Sequence, residues 1–382
     1  MRHIFSFLLS ACLLTACAPE LIPSPATQAP ALSAGSPTAV AIGGTTVPTP
    51  GLVYIHMQDL QNGWGINDTD VLRTADGGIS WNKVSPANVG ALGYSVSSDF
   101  LDSQLCWILV PDPKNMQAGT LYRTSDGGKT WSNIPVPFGG GEIHFVDAKQ
   151  GWMMASLGAG AGSMGVALYQ TTDSGSTWKQ AYTNDPNQTG AGDSLPLSGL
   201  KNGLTVLDMQ TAWIGGVVYT PGTIYLYQTL DGGHTWKQSP IQVPSGYEQS
   251  QPETTGPAWV SAENSYVAVQ LQSQNGVMMA IYQSLDRGTS WLLTPTLIPQ
   301  GGAIDFVTGQ DGFVWNGTNF YVTHDGAKTW TSVSPDVAFG DSFARMDFVN
   351  PTTGFVLTSD VNSQRSLYRT TNGGTTWALL GH

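Results

Sequence analysis

YRTSDGGKTW, residues 122–131, occurs in seven versions along this chain. The others are LRTADGGISW (72–81), YQTTDSGSTW (169–178), YQTLDGGHTW (227–236), YQSLDRGTSW (282–291), YVTHDGAKTW (321–330) and YRTTNGGTTW (368–377). Their closing tryptophans are 50, 47, 58, 55, 39 and 47 residues apart. A strand-like unit recurring at that spacing predicts a propeller or a solenoid. Within each copy, the leading aromatic or Leu and the Ser/Thr two places on alternate as a half-buried strand does. Asp followed by Gly turns the chain, because the carboxylate accepts amides ahead of it and Gly takes positive φ freely. The repeated Asp76, Asp126, Asp173, Asp231, Asp286 and Asp325, with Asn372, are therefore read as structural turn residues. Trp81, Trp131, Trp178, Trp236, Trp291, Trp330 and Trp377 are read as plugs between neighbouring sheets.

A second repeat runs in phase with the first. An apolar residue is followed seven places later by an aromatic one: Met57/Trp64, Phe100/Trp107, Phe145/Trp152, Val206/Trp213, Trp259/Tyr266, Phe306/Phe313 and Phe348/Phe355. Just before the second member sits a small residue (Gly63, Cys106, Gly151, Ala212, Ser265, Gly312, Gly354). Each unit thus reads as strand A, a turn of fixed length, strand B, a variable loop, strand C, the hairpin and strand D. The expectation is all-β: a seven-bladed β-propeller of four-stranded antiparallel blades over 51–382, with the hairpins between strands C and D. No strand swapped across the seam is evident unless 38–47 supplies it. Cys106 is one of the seven small packing residues, and no intramolecular disulfide is expected.

The N-terminus has a different composition. An apolar run over 4–14 is too short to span a membrane and ends in Leu14-Thr15-Ala16-Cys17. The expectation is a lipoprotein signal peptide over 1–16, with Cys17 the lipid attachment site and Cys12 a chance cysteine of the leader. Residues 17–50 are rich in Pro, Ala, Thr and Ser and carry one charge, Glu20, so they read as a tether. The protein is expected to be extracytoplasmic, held to a bacterial membrane and monomeric. With 15 Lys and Arg against 27 Asp and Glu, nucleic acid is not an expected partner.

The box S/T-x-D-x-G-x-T-W resembles the Asp-box, or BNR, repeat of sialidases, xyloglucanases, sortilin-type receptors and the photosystem II assembly/stability factor family. Seven boxes, the preceding strands that open on Gly-Trp or Gly-Phe (Gly63-Trp64, Gly151-Trp152, Gly312-Phe313, Gly354-Phe355), the length and the lipobox-like LTAC most resemble the last of these. The resemblance implies the propeller fold and binding of assembly intermediates through an arginine-rich surface. Here Arg73, Arg123 and Arg369 fall in box strands and Arg287 in a hairpin, leaving Arg345 and Arg365 elsewhere in the mature chain.

Variation in length is confined to the B–C loops and D–A connections, which leave the strands at one end. They include 111–119, 157–165, 182–202, 219–223, 240–256 and 272–276. One-faced variation marks a binding face. Its candidate residues are Asp112, Lys114, Tyr182, Asp185, Asp193, Tyr219, Tyr247, Glu248 and Glu253. The expected function is binding of a protein partner, as an assembly or scaffolding factor. The alternative is a carbohydrate-binding or glycoside-hydrolysing protein, for which paired loop carboxylates would be required. His56, Asp99, His144, Asp305 and Asp347 share one slot in strand A, read as polar strand ends near water. No zinc spacing, Ser-His-Asp order or phosphate loop is present, so no catalytic residue, metal or cofactor is expected.

Overall fold

The computed structural model describes residues 44–381 apart from 49, 262 and 263. Cys17, the 1–16 leader and the tether up to residue 43 lie outside the described residues. Every sheet is antiparallel, and the only helical elements among the described residues are 3-10 turns at Gly93–Ser95 and Gly340–Ser342. The first meander pairs Tyr54–Met57, Gly63–Ile66, Val71–Thr74 and Trp81–Lys83 in sequence order. The same four-strand order recurs over 97–136, 141–183, 200–238, 257–293, 304–333 and 343–381. The fourth and fifth meanders merge into one ten-stranded sheet, because Gln251–Glu253 pairs with the second strand of both. The 240–256 stretch, expected to be all loop, therefore contributes a strand.

The first strands of successive meanders pack side by side, and the seventh returns to the first. Between the first and second meanders the contact is aromatic, with the Tyr54 and His56 rings against Phe100. The result is an all-β, propeller-like ring. Thr46–Val47 does not close it: that strand pairs with Trp81 and Asn82, widening the first sheet at its outer edge. The seam closes by packing instead. Phe355, Leu357 and Leu367 of the last meander join Leu52, Ile55, Met57, Leu72 and Trp81 in one buried cluster. Arg365 Nη1 adds a 2.8 Å bond to Asp68 Oδ2 across the same seam.

Both repeats have a physical explanation. Where both residues are aromatic, the ring of one meander's second strand stacks on that of the next meander's first strand. Trp107 lies 3.7 Å from Phe145, Tyr266 4.3 Å from Phe306 and Phe313 3.5 Å from Phe348, ring centre to ring centre. The small residue is required within one meander, since a Cβ at Gly151 would sit 2.7 Å from the Phe145 ring and one at Gly312 2.8 Å from Phe306. Cys106 fills its copy of that slot, fully buried beside Phe100. In the fifth meander the register corrects the sequence alignment. Val260, not Trp259, pairs with Ser265, so that turn is one residue shorter than the Met57-to-Gly63 turn.

The hairpin repeats its bonding in the six Asp copies, and in the seventh Asn372 Nδ2 donates to the Thr376 hydroxyl in place of the second accepted bond. In YRTSDGGKTW, Asp126 Oδ1 accepts the Thr124 hydroxyl and the Thr130 amide at 2.9 Å each, while Oδ2 accepts the Thr130 hydroxyl at 2.6 Å. Gly127 and Gly128 take φ of 72° and 85°, and Gly127 N–H donates to Gln104 O in the A–B turn. That last bond recurs from Gly77, Ser174, Gly232, Gly326 and Gly373, which puts hairpins and A–B turns at one end of the strands. The closing tryptophans are less uniform than expected. Trp81, Trp236, Trp291 and Trp377 are buried, whereas Trp131, Trp178 and Trp330 are half-buried.

Candidate functional site: the loop face and the channel

At the opposite end the B–C hairpins have unequal heights. The hairpins of the second, third and fifth meanders rise to Asp112–Asn115, Gly160–Ser163 and Ser273–Gly276. Those of the first and sixth turn back at Ile66–Val71 and Trp315–Phe320. The seventh rises to Ser359–Arg365, so this face is tall over the second, third and fifth meanders and low over the first and sixth.

The candidate residues divide by position. Asp112, Lys114, Asp193 and Glu248 are exposed, and Tyr219 is 58% exposed with its ring against Gly162 of the neighbouring hairpin. Asp185 and Glu253 are half-buried. Tyr182 is not on this surface: it is 4% exposed, packs in the core of the third and fourth meanders, and its hydroxyl accepts the Leu195 amide. Tyr247 is half-buried against the core between the fourth and fifth. An aromatic in a long insertion was read as a contact residue, but here the insertion folds back and uses Tyr182 as its own core.

Most of the loop carboxylates serve the backbone. Asp112 accepts the Lys114 amide at 2.8 Å, Asp185 the Asn187 amide at 2.9 Å, and Glu248 the Gly246 amide at 3.0 Å. Glu253 accepts the Asn202 side chain at 2.6 Å and so ties the added strand to the 182–202 loop. An apolar groove of about 600 Å³ lies where Gly90, Ala91 and Ser95 face Val110–Pro113, Met116, Ala118 and Val136. Sequence reading missed it, because its walls come from two meanders. The exposed Met116 was the available signal, a flexible apolar side chain at a hairpin tip.

The strand-A slot does come together. His56, Asp99, His144, Asp305 and Asp347, with Tyr54 and Arg345, line a polar cavity of about 350 Å³ in the channel. The carboxylates stitch each meander to the next. Asp99 Oδ2 accepts Phe145 N–H at 2.7 Å, Asp305 Oδ2 accepts Phe348 N–H at 2.7 Å, and Asp347 Oδ2 accepts Met57 N–H at 2.6 Å. Glu142 does the same for Leu204 N–H at 2.7 Å. The innermost strand of each meander has an unpaired edge, and these side chains satisfy it. Water alone does not account for that slot.

Burial, and then the neighbouring Asp347 charge, push the Asp305 carboxyl up to about 7. Burial also raises Asp99. For His56, burial works against the charged ring, but the bond and charge of Asp347, 3.7 Å away, outweigh it and the pKa is raised. Arg345 stacks on Tyr54, 4.0 Å from the ring centre. Among the described residues, no three His, Cys, Asp or Glu side chains are grouped to hold a metal ion.

Comparison with known proteins points in two directions. No family model matches the chain. Photosystem II assembly lipoprotein Ycf48 of Synechococcus sp. (strain CC9902) is 24% identical over 291 residues, 72% of this chain and 73% of that protein. A xyloglucanase of Paenibacillus sp. is 26% identical over 335 residues, 79% of this chain. One from Hypocrea jecorina (strain QM6a) is 25% identical over 396 residues, 92% of this chain. The chain spans only 27% and 40% of those two enzymes. In three dimensions it is similar to YCF48 bound to D1 peptide, with a TM-score of 0.54 at 19% identity, covering 87% of this chain and 99% of that one. It is also similar to the xyloglucanase of Xanthomonas campestris, with a TM-score of 0.58 at 13% identity, covering 90% of this chain and 56% of that one. The chain is thus related to the photosystem II assembly lipoprotein and to xyloglucanase propellers, and its propeller fold is common to both.

Proposed function

We propose that this protein is a seven-bladed propeller, each meander one blade, that binds a protein partner outside the cytoplasm as an assembly or scaffolding factor. The reading rests on one observation. Hairpins and A–B turns are nearly invariant at one end of the blades, whereas the other end carries the insertions, the longest of them on the second to fifth blades. A surface that varies while its scaffold does not is where recognition is built. Met116 and the apolar groove it lines, with Asp112 on its wall, suit an extended polypeptide segment. The likeness to a propeller bound to a peptide favours the same reading.

In this proposal, Cys17 carries the lipid and 18–50 is the tether that holds the propeller off the membrane. Two chemistries then act in series: acyl chains supply attachment, and the loop face supplies specificity. The experiment is cross-linking and capture from native membranes with the full chain. A variant in which 111–119 is replaced by a short turn is expected to lose the partner while keeping the fold. Retention of every captured partner would place recognition elsewhere. A Cys17→Ser chain is expected to leave the membrane fraction and to take up no labelled fatty acid.

The xyloglucanase relatives motivate a second reading, a glycan ligand. Its candidates are Asp112, Asp185, Asp193, Glu248 and Glu253. Turnover or binding on a glycan panel, abolished by changing one of these to the amide, would establish it, and a negative across the panel would remove it.

A further inference from the structure

The 182–202 insertion closes around an ammonium group. Lys201 is 4% exposed, and its Nζ donates to five main-chain carbonyls. They are Pro196 O at 2.7 Å, Met164 O, Leu197 O and Gly199 O at 3.0 Å, and Ser198 O at 3.3 Å. An ammonium has three protons, so five oxygens surround it as dipoles around an ion, not as one partner per proton. No carboxylate lies within ion-pair distance of Lys201 among the described residues. The Tyr225 ring stands 5.4 Å from Nζ and turns a negative face to it.

The loop is shaped for this arrangement. Gly199 takes φ of 82° and donates its amide to Gly162 O, while Met164 N–H donates to Leu197 O. Asn184 Nδ2 donates to Met164 O and Pro196 O, pulling the same two carbonyls toward one point. Burial lowers the Lys201 pKa to about 8, which leaves the group predominantly charged at neutral pH. Carbonyl groups in such a shell replace the water of a hydrated cation.

We propose that residues 196–199 and Met164 form a built-in monovalent-cation site whose resident ion is the Lys201 ammonium. This tethered cation sets the conformation of 184–200, the stretch that places Asp185 and Asp193 on the loop face. The ligand class is a primary ammonium, and an untethered alkylammonium should replace it. The inference does not depend on what the loop face binds.

The test is amide hydrogen exchange of the full chain over 184–200. Lys201→Ala is expected to raise exchange of the Gly192, Leu195 and Gly199 amides about tenfold or more. Millimolar n-propylammonium, which restores the missing stem and charge, is expected to return that protection, and n-propanol is not. Equal rescue by n-propanol would reduce the site to a filled hole and overturn the proposal. So would a Lys201→Met chain that keeps its protection within about twofold of the parent. Should both variants fail to fold, the unmodified protein decides the matter. Its Lys201 Nζ protons are expected to exchange with water far more slowly than those of Lys114, and equal rates would overturn the cage.

Discussion

The outer hairpins and the inner channel strands use the same side chain, Asp, in opposite ways. At the hairpin end each Asp sits near solvent and gathers short bonds from its own turn. For Asp325, the Thr329 hydroxyl and amide hold the carboxyl at about 2. For Asp76, Asp126, Asp173 and Asp231 burial works upward, but the hydroxyl and amide bonds outweigh it, and Asp286 is lowered directly by its bonds. In the channel, Asp99 and Asp305 each accept one amide from the next blade, and burial wins, so both are raised. Several local donors stabilise the charge in the hairpins, while in the channel one donor faces desolvation, joined at Asp305 by the like charge of Asp347. The lesson is that a repeated Asp reports local turn chemistry, and an Asp in the ring reports how blades are joined.

The largest expected effect lies between these regions, where blades stack. Trp107→Ala removes a fully buried indole from its 3.7 Å stack on Phe145 and should cost about 3–5 kcal/mol. Denaturant unfolding measures it, and a cost below about 1 kcal/mol would mean the blades are not held by these stacks. Next is the hairpin. Asp126→Ala removes three acceptor bonds and should cost about 1–3 kcal/mol with partner capture unchanged. Loss of capture by a fully folded Asp126→Ala chain would move the binding face to the hairpin end.

The pH dependence distinguishes the two kinds of carboxylate more finely. A group raised from 3.8 to about 7 keeps a proton in the folded state that the unfolded chain has lost, so its contribution to stability falls as pH rises across that window. Asp305→Asn, which retains an oxygen for the Phe348 amide, should therefore raise Tm by roughly a few degrees at pH 8 and by much less at pH 4. The hairpin aspartates have the opposite sign. Their contribution is present above the ordinary 3.8 and is lost as pH falls toward about 2, so Asp325→Asn should narrow the acid-induced loss of Tm. A Tm gain for Asp305→Asn that is equal at both pH values would remove the charge argument. The smallest effect on stability belongs to the loop face. A two-residue turn in place of Asp112–Asn115 should change unfolding by less than about 0.5 kcal/mol while weakening partner capture.

Much of this was legible in the sequence because the repeats carry it. Period, Gly positions and the apolar-to-aromatic spacing specify strand, turn and blade, since each depends on neighbours within one unit. Even the facing of hairpins and variable loops to opposite ends follows from counting strands. The fifth blade shows where counting stops: one residue fewer in a turn shifts the register, and a Trp–Tyr pair at the repeat spacing conceals it. The seam, the channel and the loop face were decided only in three dimensions. Residues 46–47 pair with their own blade, closure falls to Phe355, Leu357 and Leu367 against Leu52 and Ile55, and Tyr182 turns inward. Lys201, one of few cations in an acidic chain, gives no sign in sequence that five carbonyls enclose it. The reason is physical: hairpins and strand pairing draw on bonds a few residues apart, whereas seams, grooves and cages are made by backbone groups that meet only once the ring has closed.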